Sequence, residues 1–169
     1  MGVNQRGIVT MSETEIADFL ERERTATLAT IGLAGEVHLV AMWYALVDGQ
    51  IWIETKTKSQ KAVNLRRDNR VSLLVEGGLT YETLRGVSFE GRAALSDDPD
   101  DLWRVGVSVY ERYVGSYSED VREQVETMMH NRVAVRIDVE HVRSWDHRKL
   151  GMVPTPLGGT TADFVGRDR

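Results

Sequence analysis

Six basic side chains are clustered between residues 56 and 70, where a single acidic residue accompanies them. The basic residues are Lys56, Lys58, Lys61, Arg66, Arg67 and Arg70, and the acidic one is Asp68. The whole chain has a formal net charge of −5, and the 15 basic and 25 acidic residues outside this segment leave −10. A positive segment in an acidic chain is typical of a site for one anionic ligand, whereas a nucleic-acid binder needs a broadly basic surface.

A short helix is predicted within this basic segment, directly after an apolar strand. Thr57 or Ser59 can cap its first turn. The free N–H groups and the positive end of the helix dipole would then favour a phosphate, together with the lysines. The alternative is a solvated basic helix end without a ligand, and charge alone does not distinguish the two interpretations.

Two aromatic segments could complete such a site. Met42-Trp43-Tyr44 lies on the strand before an Asp-Gly turn, and Trp145-Asp146-His147-Arg148 follows the last predicted strand. Tryptophans are most often core or interface residues, but beside an anion site they can line a flat pocket for a ring. A planar ligand with a phosphate tail fits a redox cofactor, which carries its own reactive atom.

Other catalytic and metal sites find no support in the sequence. The chain has no cysteine, which excludes disulfides, thiolate metal ligands and cysteine nucleophiles. The four histidines, at positions 38, 130, 141 and 147, show no metal-ligand spacing, so we expect no metal. Neither a nucleophile elbow nor a Gly-rich phosphate loop occurs. No apolar run approaches the roughly 18 residues of a membrane span, and no signal peptide is evident, so we expect a cytoplasmic protein.

The periodicity predicts a mainly antiparallel β domain with added helices over residues 12–150. Ser12 and Glu15 match a capping box before a first helix, and Asp98-Pro99 begins a later one. Asp48-Gly49 is a strong hairpin signal. The six predicted strands are residues 26–31, 37–46, 51–54, 71–76, 87–95 and 132–140. We expect residues 1–11 to be a flexible leader and residues 151–169 an extended tail.

From about Thr25 to Leu150, the chain resembles the split β-barrel flavin and deazaflavin oxidoreductases, the superfamily of pyridoxamine 5′-phosphate oxidase. The order of elements matches, from Ala-Thr-Leu-Ala-Thr at 26–30 to Ile-Trp-Ile-Glu-Thr at 51–55 and a Ser-x-Lys helix. In the oxidase, a threonine and a Ser-Arg-Lys run at these positions bind the flavin phosphate. Their counterparts here are Thr55 and Ser59-Gln60-Lys61, with glutamine in place of arginine.

A second stretch, residues 84–91, resembles the family strand Arg-Gln-Val-Arg-Ile-Glu-Gly. The glutamine of that strand contacts the cofactor from the partner subunit, and Arg85 stands in its place. The oxidase also has an arginine and a lysine before the Asp-Gly turn, where this chain has Met42-Trp43-Tyr44-Ala45-Leu46. The oxidase's C-terminal substrate motif is not evident either, so the resemblance does not imply pyridoxamine phosphate oxidation.

Residues 64–68 and 144–150 are more similar to the actinobacterial deazaflavin-dependent branch. That branch uses coenzyme F-420, an 8-hydroxy-5-deazaflavin whose phosphate continues into a lactyl-oligoglutamate tail. A long anionic tail would use more lysines and arginines than one phosphate, and the basic segment contains them.

The resemblance implies a six-stranded, FMN-binding-like split β-barrel that forms a homodimer, with the cofactor in a groove between subunits. The implied activity is reduction of a small organic acceptor by hydride transfer from the deazaflavin. The implied cofactor-binding residues are Trp43, Thr55, Lys56, Lys58, Ser59, Lys61, Asn64, Arg85, Gly86 and Trp145. Of these, Lys56, Lys58, Ser59 and Lys61 would hold the phosphate and part of the tail, and Trp43, Gly86 and Trp145 would shape the ring pocket.

No general acid is identifiable in the sequence, so solvent or Tyr44 would supply the proton. Two alternatives remain open at this point. One is an FMN-dependent oxidoreductase of the same fold, and the other is a non-catalytic flavin or deazaflavin carrier.

Overall fold

The computed structural model describes residues 5–158, which fold around a curled, seven-stranded sheet in which every pairing is antiparallel. The strands are β1 Ala26–Ile31, β2 Val37–Met42, β3 Ala45–Val47, β4 Gln50–Lys56, β5 Arg70–Gly77, β6 Arg85–Ser96 and β7 Arg132–Asp146. The helices are α1 Gln5–Val9, α2 Glu13–Arg22, α3 Gln60–Arg67, α4 Pro99–Tyr113 and α5 Arg122–Met129.

The sheet order is β2-β1-β5-β6-β7-β4-β3, so two strands that are consecutive in the chain form the two opposite edges. Only Trp43 and Tyr44 separate these edge strands, and therefore the sheet must curl until its edges approach each other. This arrangement is the split-barrel class that the resemblance implies. The barrel stays open because β2 and β3 do not pair with each other.

The structure has seven strands rather than the predicted six, because the predicted strand 37–46 is divided. The backbone N–H of Tyr44 donates to the Tyr113 hydroxyl at 3.0 Å, and the Tyr44 carbonyl accepts from Arg112 Nε at 3.1 Å. Side chains of α4 thus take both backbone groups that a continuous strand would use in its ladder. The prediction of one long strand was therefore wrong.

The last strand is also longer than predicted, since β7 continues from residue 140 to Asp146. β6 pairs with it along this whole extension, with a register shift between Glu90 and Gly91. Trp145 consequently lies on the strand, not after it. A short 3₁₀ turn at His147–Leu150 follows.

Two apolar clusters stabilise the fold. One fills the inside of the curled sheet, where strand residues such as Leu28, Leu73 and Val135 are covered by Phe19 and Leu20 of α2. The other lies where α4 and α5 pack on β3, β4 and β7, and it contains Trp52, Val105, Val109, Met129 and Ala134. Between residues 5 and 158, no helix is both long and apolar enough to cross a membrane.

The predicted leader and tail are described only in part. Residues 5–9 form the short helix α1, and Met11 is buried, with its N–H donating to Ser144 Oγ at 3.0 Å. Residues 151–158 have no regular secondary structure. The rest of the predicted leader and tail, residues 1–4 and 159–169, lies outside the described residues.

Candidate functional site

The predicted phosphate-binding residues meet where β4 passes into α3. Ser59 is the N-cap of α3, and its Oγ accepts a hydrogen bond from the Ala62 N–H at 3.3 Å. Thr55, buried near the end of β4, places its Oγ1 3.0 Å from the same Ser59 oxygen. The strand-to-helix connection therefore brings two hydroxyls to the positive end of a helix dipole, which suits an anion.

The six basic residues of this segment divide into two sets. The three arginines are engaged: Arg66 donates to the Thr57 carbonyl, Arg67 donates to the Ile31 carbonyl, and Arg70 pairs with Asp68. The side chains of the three lysines, Lys56, Lys58 and Lys61, form no hydrogen bond or ion pair with any residue from 5 to 158. The arginines thus serve the local fold, and the lysines are available to a ligand.

Lys61 differs from the other two lysines because it is partly buried, whereas Lys56 and Lys58 are exposed. Burial lowers the pKa of Lys61 below its usual value, and the nearby carboxylate of Glu54 opposes that effect. Glu54 is only 8% exposed, and it pairs with Arg132 of β7. Sequence reasoning missed both partners. The available signal was an acid directly after the apolar run Ile51-Trp52-Ile53.

Asn64 is on the buried face of α3 rather than at the exposed start of the helix. Its side chain is buried, Nδ2 donates to Thr30 Oγ1 at 3.0 Å, and Oδ1 accepts from Gln60 Nε2 at 2.8 Å. The bond to Thr30 attaches α3 to β1, and the bond from Gln60 fixes the amide within α3. Within one chain, Asn64 therefore supports the helix that presents the lysines.

The predicted ring-binding residues lie at the other end of the barrel. Gly86 of β6 pairs with Trp145 of β7, and the indole covers the glycine so closely that an added Cβ would lie 2.2 Å from Trp145 Cζ2. Beside this pair, Arg85 contacts Glu23 at 3.3 Å and lies over the Phe19 ring. Gly86 and Trp145 are thus closely packed, and Arg85 is engaged by neighbouring side chains.

Trp43 is half exposed at this same end, where its ring stacks on Tyr113 with a centroid distance of 4.3 Å and an interplanar angle of 6°. Its neighbour Tyr44 points the other way. The Tyr44 side chain has 0% exposure, and its hydroxyl lies 2.6 Å from the Leu20 carbonyl and 2.8 Å from that of Glu23. Burial raises the pKa of Tyr44 to about 12. Because its hydroxyl is buried against two backbone carbonyls, this chain does not present Tyr44 to a ligand, and solvent is the other predicted proton source.

Charges at the ring end are paired, unlike those at the start of α3. Arg148 contacts Asp146 at 2.5 Å, and this contact lowers the pKa of the Asp146 carboxyl. Lys149 contacts Glu15 at 2.7 Å. At this end, a ligand would therefore meet aromatic side chains rather than unpaired charges.

One chain does not bring the two sets of predicted residues into a single pocket. Strand β7 passes both, with Arg132 beside the lysines and Trp145 at the ring end. The thirteen steps along the strand from Arg132 to Trp145 correspond to a path of roughly 40 Å.

Part of the outer surface of the sheet is apolar and uncovered. Val37 and Leu39 on the edge strand β2 are 61% and 63% exposed, and Ala41 and Trp43 continue the same face. On the inner face of this strand, His38 is partly buried, and its Nδ1 has no hydrogen-bond partner. Across the part of the chain that the structure describes, no cluster of His, Asp and Glu side chains could hold a metal ion.

Comparison with known proteins identifies the relatives of this fold. The family model "Pyridoxamine 5′-phosphate oxidase" matches residues 12–146. The conserved hypothetical protein Rv2991 from Mycobacterium tuberculosis is 60% identical, with a TM-score of 0.91 over 95% of this chain and 100% of that one.

Two more distant solved structures share the fold alone. An F-420 reductase has a TM-score of 0.58 at 22% identity, over 74% of this chain and 93% of that one. The heme storage protein HutZ from Vibrio cholerae has a TM-score of 0.62 at 17% identity, over 77% of this chain and 92% of that one. No curated protein sequence matches this chain.

Proposed function

Because the chain belongs to the pyridoxamine 5′-phosphate oxidase family of split barrels, we propose that it binds coenzyme F-420 and reduces a small organic acceptor by hydride transfer. The observation that carries this proposal is the set of three lysines around the start of α3 whose side chains have no hydrogen-bond or ion-pair partner among residues 5–158.

The proposal assigns different parts of the anion to different lysines. Lys61 is partly buried and lies in the first turn of α3, which Ser59 caps, so it would bind the phosphate. Lys56 and Lys58 are exposed, so they would bind carboxylates of a flexible tail. A charge-assisted hydrogen bond of this kind contributes about 1.5–3 kcal/mol.

Two features favour a deazaflavin over FMN. The number of unpaired lysines exceeds what one phosphate needs, and the oligoglutamate tail of F-420 would use the rest. In addition, Trp43 and its neighbours stand where the FMN-dependent oxidase has an arginine and a lysine that serve the cofactor. Trp43 stacks on Tyr113. Its indole is uncharged and cannot form an ion pair with a phosphate.

A homodimer is part of the proposal, because the ring residues and the lysines lie at opposite ends of one chain. The exposed apolar face of β2, with Val37 and Leu39, is a surface that a second subunit would cover. We expect light scattering at micromolar concentration to give about twice 19.1 kDa. A monomer that binds the cofactor at full affinity would rule out the shared groove.

The chain's own residues would bind, orient and shield the ligand. When bound, coenzyme F-420 supplies the ring carbon from which hydride is transferred. Trp145, held close to the backbone of Gly86, would present its indole to the ring, and Arg85 would lie at the edge of the ring. The proton would come from solvent, since the Tyr44 side chain is buried and its hydroxyl lies against the Leu20 and Glu23 carbonyls.

Parallel fluorescence titrations with F-420 and FMN test the proposal. We expect tighter binding of F-420, and affinity should fall with added salt because the lysine contacts are partly solvated. Tighter binding of FMN, or FMN retained through purification, would instead assign an FMN protein. Single-turnover oxidation of bound reduced F-420 by added acceptors would then separate a reductase from a carrier.

A further inference from the structure

Trp43 and Tyr113 form a parallel aromatic stack on the surface of the molecule. Their ring centroids are 4.3 Å apart, and their planes differ by 6°. A stack of this kind covers one face of each ring, and Trp43 is accordingly 49% exposed. An indole that is held on one face and open on the other can stack on a second planar group.

The Tyr113 hydroxyl fixes the backbone that carries this indole. It accepts from the N–H of Tyr44 at 3.0 Å, and this N–H belongs to the peptide bond between Trp43 and Tyr44. The hydroxyl lies 2.9 Å from the Arg24 carbonyl and 3.1 Å from the Tyr44 carbonyl, so its own proton also has an acceptor. One side chain therefore holds both the ring of Trp43 and the peptide that follows it.

Tyr113 is itself held by its position in the fold. It is the last residue of α4, and it packs partly buried against the apolar cluster beneath α4 and α5. The side chain of its neighbour Arg112 is only 8% exposed, and it donates to the Tyr44 carbonyl at 3.1 Å and to the Leu20 carbonyl at 2.9 Å. The end of α4 is thus attached to α2 and to the crossing between the two edge strands, which makes Tyr113 a fixed support.

We propose that Tyr113 is a positioning residue, which holds the Trp43 indole as a preformed stacking surface for the planar ring of the ligand. A side chain that is already held in its binding conformation loses less conformational entropy when the ligand binds, and affinity increases as a result. The identity of the ring as a deazaflavin rests on the proposed function, but the support that Tyr113 gives to Trp43 does not.

The ligand-free protein provides the first test. The four tryptophans of the chain can be labelled with 5-fluorotryptophan and observed separately by ¹⁹F NMR, with the Trp43 signal assigned from Trp43→Ala. We expect Tyr113→Leu to release the indole, so that the transverse relaxation of the Trp43 signal, measured under a spin-lock, becomes slower while that of Trp145 stays unchanged. A Trp43 signal that relaxes as in the wild type would overturn the inference.

A second contact between a tyrosine and a tryptophan provides the matched control. Tyr117 packs edge-on against Trp103 of α4, with a centroid distance of 5.6 Å and an interplanar angle of 84°. Tyr117→Leu should therefore change neither the Trp43 signal nor the affinity for F-420. An equal change of the Trp43 signal in Tyr117→Leu would mean that the helix loosens as a whole, which would contradict a specific role of Tyr113.

Ligand binding separates positioning from general structural damage through a double-mutant cycle. Tyr113→Leu should weaken F-420 binding roughly five- to tenfold, within the range measured for aromatic contacts. In the Trp43→Ala background, the same substitution should cause no further loss, because Tyr113 acts only through the indole. An equal loss in both backgrounds would show a merely structural role and would overturn the inference.

Tyr113→Phe serves if Tyr113→Leu fails to fold, as judged by circular dichroism. It keeps the ring and removes the hydroxyl that accepts from the Tyr44 N–H. We expect a smaller loss of F-420 affinity, about threefold, and this loss should also disappear in the Trp43→Ala background. A loss that persists in that background would count against the role of Tyr113.

The inference and the proposed function can fail separately. If the wild type does not bind F-420, the proposed function fails, and the ¹⁹F measurement still decides whether Tyr113 fixes Trp43. If F-420 binds but neither Trp43→Ala nor Tyr113→Leu weakens binding, the proposed function stands and the inference is wrong.

Discussion

The two ends of strand β7 are built on different principles. Beside Arg132, at the start of α3, the side chains of three lysines have no hydrogen-bond or ion-pair partner in the described part of the chain. Beside Trp145, the charges are paired, as in Arg148 with Asp146, and the ring packs directly on Gly86. The first end has cations available for a ligand, and the second has a closely packed surface.

This difference implies that substitutions at the two ends should have different consequences. An unpaired lysine near the surface contributes little to folding, so its loss should weaken ligand binding and spare stability. A residue in close packing contributes to folding whether or not a ligand is present. Substitutions at the lysine end of β7 should therefore change ligand affinity, whereas substitutions at the packed end should change the free energy of unfolding.

The largest effect is expected at the packed end. Gly86→Ala would place a Cβ 2.2 Å from Trp145 Cζ2, and overpacking of this kind costs about 2–3 kcal/mol. Urea denaturation measures the loss, and Gly115→Ala, whose Cβ would meet no atom within 4 Å, is the matched control. Wild-type stability of Gly86→Ala would show that the Trp145 ring moves aside freely, and the contrast between the ends would disappear.

The next largest effect concerns affinity at the lysine end. Lys61→Ala should weaken F-420 binding by roughly 10- to 100-fold, where about 1.4 kcal/mol corresponds to a factor of ten. Lys58→Ala should act in the same direction but more weakly, because Lys58 is exposed. Titrations at two ionic strengths measure both, with circular dichroism to verify folding. Unchanged affinity in Lys61→Ala would favour the alternative interpretation, in which the basic segment is a solvated helix end without a ligand.

A smaller effect on stability is expected for Tyr44→Phe at the packed end. The variant loses a buried hydroxyl that lies 2.6 Å from the Leu20 carbonyl, while Arg112 Nη2 still donates to that carbonyl at 2.9 Å. The expected cost is about 1–2 kcal/mol, measured by urea denaturation against Tyr81→Phe, which alters an exposed tyrosine.

The difference in stability between the wild type and Tyr44→Phe should depend on pH, and the direction of this dependence can be derived. Burial raises the pKa of Tyr44 from 10.0 to about 12, so the folded state favours the neutral phenol. Its contribution is complete below a pH of about 10 and is lost as the pH rises towards 12. The stability gap between wild type and Tyr44→Phe should shrink over that range. A constant gap would contradict the burial of the hydroxyl.

The smallest effect is expected within the basic segment itself. Arg70→Ala removes the same charge as Lys61→Ala, but Arg70 is paired with Asp68 at 2.6 Å. F-420 affinity should therefore stay close to that of the wild type. A loss as large as that of Lys61→Ala would mean that total charge, rather than unpaired lysines, controls binding.

Features that depend on neighbouring residues were predictable from the sequence. The capping box of Ser12 and Glu15 is present as expected. Asp48 and Gly49 both have positive φ, at 52° and 73°, as a two-residue hairpin turn requires. Pro99 begins α4 after the Asp98 cap. In each case the sequence determined the result, because all interacting groups lie within a few residues.

The features that define the candidate site required the tertiary structure. Tyr44 leaves the sheet because Arg112 and Tyr113, nearly seventy residues later, take its backbone groups. Glu54 belongs to the site because Arg132 lies across the sheet from it. Charge counting could locate the basic segment, but only the three-dimensional contacts separate its engaged arginines from its free lysines, since hydrogen-bond partners depend on distances in space.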